Sequence, residues 1–296
     1  MTAPAGLTLD EAHLRRLAEE ALVEDRAFED VTTAALVPPD QQGRGVIVAK
    51  GQGIIAGLPM AQAVFLAADS SLSFQPLVDD GSRIVPGQQV AVVEGVLGSI
   101  LRAERVALNF LQRLSGVATH TARFVAALSG TSCRLRDTRK TTPGLRVLEK
   151  YAVRLGGGTS HRPHLAAAVL IKDNHLAALR ARDLGVADAV RLARQANPTL
   201  TIEVEVTSVD EARQALAAGA DELLLDNMSL QAMWEVVALA KSLSAERRSK
   251  AVLEASGGVS LDNVRQVAET GVDYVSVGAI THSAPALDMS LEVEAH

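Results

Sequence analysis

From residue 133 onward one pattern recurs: a short apolar run, a polar residue at its end, then a stretch of helical periodicity. The runs are CRLRDT, AVLIKDN, TIEVEVT, ELLLDN, AVLEASGG and YVSVGA. Between them, segments such as SVDEARQALAAGA and LDNVRQVAETG carry early acids and a closing glycine, the start and stop signals of helices. Strands that alternate with helices build a parallel sheet, because a parallel neighbour is reached only through a crossover. Six such units fit an α/β barrel, or an open and incomplete one, better than a short open sheet. A doubly wound sheet satisfies the same periodicity.

The first part of the chain has a different rhythm. Residues 8–25 read as a helix, with Thr8 as N-cap and Glu11 completing a capping box. VIVAK at 46–50, GIIAG at 53–57, LSFQPL at 72–77 and VAVVEG at 90–95 read as strands of a small sheet, separated by Gly, Pro and Asp. Ser99 is placed to cap a long helix over about 100–128, on which Arg102, Arg105 and Asn109 share one face. The expected division is a first domain over 1–115 and a barrel over 116–283, with the tail 284–296 returning to the first domain.

Aromatic residues are only 3% of the chain, too few for a platform that stacks nucleic-acid bases. No apolar stretch approaches the length of a membrane span. The single cysteine, Cys133, excludes a disulfide framework and a cysteine-rich metal site. The expectation is a cytoplasmic protein with no nucleic-acid or membrane partner. Within a net charge of −6, residues 134–172 carry +7, leaving −13 elsewhere. A basic island in an acidic chain suits a small, highly charged anion, although a solvated basic face gives the same count.

The polar residues at the strand ends are the chemical signal. They are Arg139 and Lys140, Lys172, Glu203 and Glu205, Asp226, Ser256-Gly257-Gly258, and Gly278. In α/β barrels the active site forms at the C-terminal ends of the strands. Guanidiniums of RDTRKT and GGGTSHR can fork onto carboxylates, and lysine presents a compact charge to phosphate. Gly156–Gly158 permit a sharp anion-binding turn or simply a flexible loop, and His161 suits a structural or a ligand-facing role. Glu203 and Glu205, two apart on one strand, face the same side. Such a pair calls for a cation, either magnesium shared with substrate phosphates and water or internal ion pairs to Lys140 and Lys172. EASGG and VGAITHS, after the last two strands, resemble the phosphate grip of many barrels.

Together, RDTRKTTPGLRVLEKYAVRLGGGTSHR, LIKDNH, EVEV, LLLDN, EASGG and VGAITHS resemble the quinolinate phosphoribosyltransferase family over nearly the whole chain. The resemblance implies an N-terminal α/β sandwich joined to an open, seven-stranded α/β barrel. It also implies a dimer, or a hexamer built of dimers, whose active sites are shared between subunits. Arg139, His161, Arg162 and Lys172 would hold quinolinate, with Arg105 supplied by the partner subunit. Lys140 and Lys172 would stand between quinolinate and phosphoribosyl pyrophosphate. Glu203 and Asp226 would handle the ribose hydroxyls and Mg2+, directly or through water, while Ser256, Gly257, Gly258, Gly278 and His282 would hold the phosphate. The implied catalytic set is Lys140, Lys172, Glu203 and Asp226. At His164 and Ala167 the chain departs from the family's usual glycine and aspartate, which puts the shape of the loop after Arg162 in question. Two other readings fit parts of the pattern: a nicotinate phosphoribosyltransferase of the same fold, and a Schiff-base lyase acting through Lys172.

Overall fold

Valines at every second position of QGRGVIVA and QVAVVEGV give two strands an apolar face, and Val46, Val48 and Val92 cluster there. The computed structural model describes residues 9–244 and 251–295, in two units. The first unit runs through Ala122 and also takes in Pro143–Gly157 and the chain from Ser283. Its strands are β1 (Gln42–Ala49), β2 (Gly53–Ile54), β3 (Ser73–Pro76), β4 (Arg83–Ile84) and β5 (Gln89–Val96). β1 and β3 flank β5, both antiparallel, while β2 and β4 form a separate two-stranded ladder. The four sequence-read strands are present. β4 is additional, too short for a periodic signal.

The first helix is Glu11–Glu24, not 8–25, and its cap is Asp10, whose carboxylate accepts from the His13 backbone N–H at 3.2 Å. Thr8 lies outside the described residues. The helix Leu97–Ala127 begins before Ser99, which therefore caps nothing; its hydroxyl donates to Asp69 at 2.8 Å. That helix passes unbroken through residue 115, so the first unit extends beyond the expected boundary. The helix Arg146–Leu155 is tied to the same unit through Arg113–Glu149 at 2.8 Å and Tyr151–Asp80 at 2.7 Å. Phe65, fully buried, stacks on Phe74 with ring centroids 5.7 Å apart.

The second unit covers Arg123–Thr142 and Gly158–His282. All six recurrent runs form strands: β6 (Arg134–Arg136), β7 (Val169–Ile171), β8 (Ile202–Val206), β9 (Glu222–Asp226), β10 (Val252–Ser256) and β11 (Tyr274–Ser276). They lie parallel in the order β6-β11-β10-β9-β8-β7. β6 and β7 do not pair, so the barrel is open. The expected seventh strand is reduced to one bridge, Thr159 beside Arg136. Three preceding glycines and Pro163 shortly after leave no run of residues able to extend it.

The chain ends in β12 (Met289–Ala295), antiparallel to β1 on the edge opposite β5, which completes the first unit's sheet as β12-β1-β5-β3. The tail thus belongs to the first unit. Among the described residues no helix is long and apolar enough to cross a membrane.

Candidate active site

Register sorts the strand residues of the second unit into tiers, since residues paired across a parallel ladder face the same side. Glu203 stands opposite Glu222, and Asp226 opposite Ser256 at the strand ends. Glu205 lies two residues beyond Glu203 on β8, and so one tier nearer the mouth.

The interior below the strand ends is ionic. Arg136 donates to Glu254 at 2.6 Å and to Glu222 at 2.9 Å, and its guanidinium lies 3.6 Å from the Tyr274 ring centroid. Burial alone would depress Arg136, but the two carboxylates outweigh it and hold it above its usual value. Burial and the neighbouring Glu203 charge push Glu254 upward. The carboxylate of Glu203, 2% exposed, meets His161 Nε2 at 2.7 Å. Burial pulls His161 down, yet the Glu203 hydrogen bond and the charges of Glu203 and Glu254 keep it above its ordinary value. One oxygen of Glu203 is thus engaged by His161, while its buried Oε1 has no hydrogen-bond partner.

The basic groups gather above. Asp137, fully buried, accepts from the His161 backbone N–H at 2.9 Å and from the Ser160 hydroxyl at 3.1 Å. Arg162 donates to the Ala168 carbonyl at 3.1 Å, while its buried Nε has no hydrogen-bond partner. Burial and then the charge of Arg139 lower Arg162. Guanidinium forks are chemically suited to carboxylates. Lys172 pairs with Glu205 at 2.6 Å, the internal ion pair that sequence left open. Among the described residues Lys140 makes no ion pair, and its side chain packs by Gly278: a Cβ there would stand 3.0 Å from Lys140 Cδ and 3.1 Å from His282 Cδ2.

The turn after β10 needs its glycines. Gly257 has φ +86°, and a Cβ on it would fall 2.3 Å from the Asn227 side chain. Asn227, itself at φ +52°, donates its backbone N–H to the Ser256 carbonyl at 2.9 Å and its side-chain N–H to Asp226 at 2.9 Å. The ends of β9 and β10 are thereby joined at Asp226 and Ser256. Arg105 belongs to the first unit, on the helix Leu97–Ala127; it is 60% exposed and lies 3.8 Å from Glu104. It borders a cavity of about 450 Å³ with Asp30, Val31 and Arg102.

Sequence reasoning assigned no role to Arg136, Asp137, Glu222, Glu254 or Asn227. The available signal was a charge inside an otherwise apolar strand, as in VLEAS, which is tolerable only when paired.

The carboxylate sites differ in what cation they suit. His161, Glu203 and Glu254 bring ligand atoms within 4.8 Å of one another, but the Arg136 guanidinium already neutralises Glu254. Asp226 and Glu205, partly exposed and offering oxygen alone, suit a magnesium ion that keeps water and phosphate ligands.

Two family models cover most of the chain: the N-terminal domain of quinolinate phosphoribosyl transferase over residues 30–115, and its C-terminal domain over 117–292. The nicotinate-nucleotide pyrophosphorylase [carboxylating] of Homo sapiens is 43% identical, the match covering 92% of this chain and 91% of that protein. A probable enzyme of the same name from Synechocystis sp. is 42% identical over 93% and 90% of the two chains. The solved structure of nicotinate-nucleotide pyrophosphorylase from Francisella tularensis superposes with a TM-score of 0.88 at 37% identity, covering 97% of this chain and 98% of that one.

Proposed function

The chain belongs to the quinolinate phosphoribosyltransferase family, and from that premise we infer how its own residues carry the reaction. It is a pentosyltransferase of NAD biosynthesis. It transfers phosphoribosyl from phosphoribosyl pyrophosphate to quinolinate and releases pyrophosphate and CO2, giving nicotinate mononucleotide. The pyridine nitrogen attacks C1 of the ribose as the C1–O bond to pyrophosphate breaks. The 2-carboxylate then leaves as CO2, and C2 takes up a proton.

The observation that carries the substrate assignment is Arg162, half-buried next to His161, whose buried Nε has no hydrogen-bond partner and whose value the charge of Arg139 lowers. A dicarboxylate offers a pair of oxygens to each guanidinium; a monocarboxylate offers one pair only. This favours quinolinate over nicotinate. Lys172, in its ion pair with Glu205, suits a charge contact to an anion better than the neutral amine that a Schiff base requires. Lys140, exposed and packed by Gly278 and His282, serves the phosphate side with the Ser256-Gly257-Gly258 turn.

Asp226 and Glu205 face the ribose hydroxyls and would hold the magnesium ion, in place of the Glu203 and Asp226 pair expected from sequence. When bound, magnesium neutralises charge on the departing pyrophosphate. Glu203 keeps His161 oriented under the carboxylates and, with its charge, holds it above its ordinary value. The enzyme works in the cytoplasm as a homodimer or an assembly of dimers, with Arg105 completing the partner's site. The direct test incubates the protein with quinolinate, phosphoribosyl pyrophosphate and magnesium, and follows nicotinate mononucleotide and CO2. Nicotinate used as readily as quinolinate would overturn the substrate assignment. Mixing the inactive variants Arg105→Ala and Lys140→Ala tests sharing. A mixed dimer has one site with both lesions and one with neither, so activity returns only if Arg105 acts across subunits.

A further inference from the structure

We infer that Asp137 is a positioning residue for the carboxylate-binding half of the site. It fixes the backbone of His161, and through it Arg162, in register with Arg139. Asp137 directly follows β6 and is fully buried, although an ionisable side chain there is costly unless its oxygens are satisfied. Its two oxygens go to consecutive residues of one incoming segment: Oδ2 accepts from Ser160 Oγ at 3.1 Å and Oδ1 from the His161 N–H at 2.9 Å. The main chain makes the same junction, with Asp137 N–H donating to the Thr159 carbonyl at 3.0 Å and Thr159 N–H to the Leu135 carbonyl at 2.8 Å.

The junction lies where the barrel is least supported. The segment is bound to β6 by the single bridge at Thr159, with Gly156–Gly158 before it and Pro163 after it. A full strand would carry ladder hydrogen bonds beyond that point; here the Asp137 carboxylate supplies them from a side chain. His161 is thus held twice, at its backbone by Asp137 and at its imidazole by Glu203. Arg139, two residues after Asp137, and Arg162, one after His161, take their spacing from this clasp.

The inference rests on the reading of Arg162 and His161 as quinolinate-binding groups, so the test includes that reading as its own arm. Asp137→Ala, Asp137→Asn, Ser160→Ala and Arg162→Ala are compared with the parent protein, measuring KM for each substrate and the melting temperature. Asp137→Ala should raise the quinolinate KM by about tenfold or more, since small displacements of substrate-positioning groups are costly. The KM for phosphoribosyl pyrophosphate should stay within about twofold. Asp137→Asn, which keeps an oxygen for the His161 N–H, should recover most of the loss, and Ser160→Ala should give a smaller rise in the same direction. A purely structural Asp137 would lower the melting temperature and leave the two KM values in proportion, which overturns the proposal. If Asp137→Ala does not fold, Ser160→Ala decides: a parent-like quinolinate KM there overturns it. An unchanged quinolinate KM in Arg162→Ala overturns the underlying reading instead. A large change there with none in the clasp variants overturns only this inference.

Discussion

The two units bury very different interiors. In the first, a fully buried Phe65 stacks on Phe74, and Val46, Val48 and Val92 meet across the central strands. In the second, Arg136, Glu203, Glu254 and Asp137 occupy the space inside and at the end of the sheet, where a barrel ordinarily stacks branched apolar side chains. Apolar burial is non-directional and stabilises whatever encloses it. A buried ion network offers little net stability and much geometric definition. The barrel's ionic interior aims side chains at the mouth, while the first unit's core is free of that task.

The sharpest way to break this contrast is to damage both interiors by a similar energy. Arg136→Met leaves Glu222 and Glu254 without their cation and should cost about 3 kcal/mol, the lower end of the range for orphaned buried charges because Glu222 keeps some solvent access. Phe65→Ala should cost about 3–5 kcal/mol through the cavity it leaves. Denaturant unfolding reads both. Turnover per folded molecule should fall only for Arg136→Met, and equal retention in the two would erase the distinction.

A smaller change sharpens it within the barrel. Arg139→Lys keeps the charge and loses the planar fork, so quinolinate KM should rise by about tenfold while that of phosphoribosyl pyrophosphate moves little. Equal losses would remove Arg139 from the carboxylate side.

The smallest effect is on pH dependence. His161 and Glu254 both sit above their ordinary values, so each binds its proton more tightly folded than unfolded. The stability they add is complete below the unfolded values, 6.5 and 4.5, and is lost as pH rises through the folded ones. Asp30, which caps the helix Val31–Leu36 in the first unit, behaves oppositely: the Thr33 hydroxyl and backbone bonds lower it, so its contribution is lost on acidification. Melting temperature should therefore fall as pH rises above the ordinary histidine value, and His161→Gln should flatten that slope. An unchanged slope in the variant would place the alkaline sensitivity elsewhere.

Much of this was legible in the residues. The six barrel runs announced themselves because apolar strand and amphipathic helix differ in period, and a closing polar residue marks the mouth. β12 was not, since SLEVEA alternates acids with aliphatics on an exposed edge and looks like a tail. The pairing of Glu203 with His161 was closed to sequence for a different reason, while that of Glu205 with Lys172 stood among the alternatives without being singled out. Residues two apart share a face, but which tier meets which partner depends on strand register. Arg136 was visible only as one more charge in a basic island, because its partners lie on strands far along the chain.

The path of the chain has a consequence for how the molecule is made. β1 is synthesised early, yet the strand that covers its free edge, β12, leaves the ribosome after every strand of the barrel. At translation speeds of roughly 5–20 residues per second that edge waits for tens of seconds. The usual order of birth, first domain first, is inverted: the barrel can mature on the nascent chain while the amino-terminal sheet remains a template short of one strand. Until β12 emerges, that exposed ladder is where a chaperone, or another nascent chain, would find it.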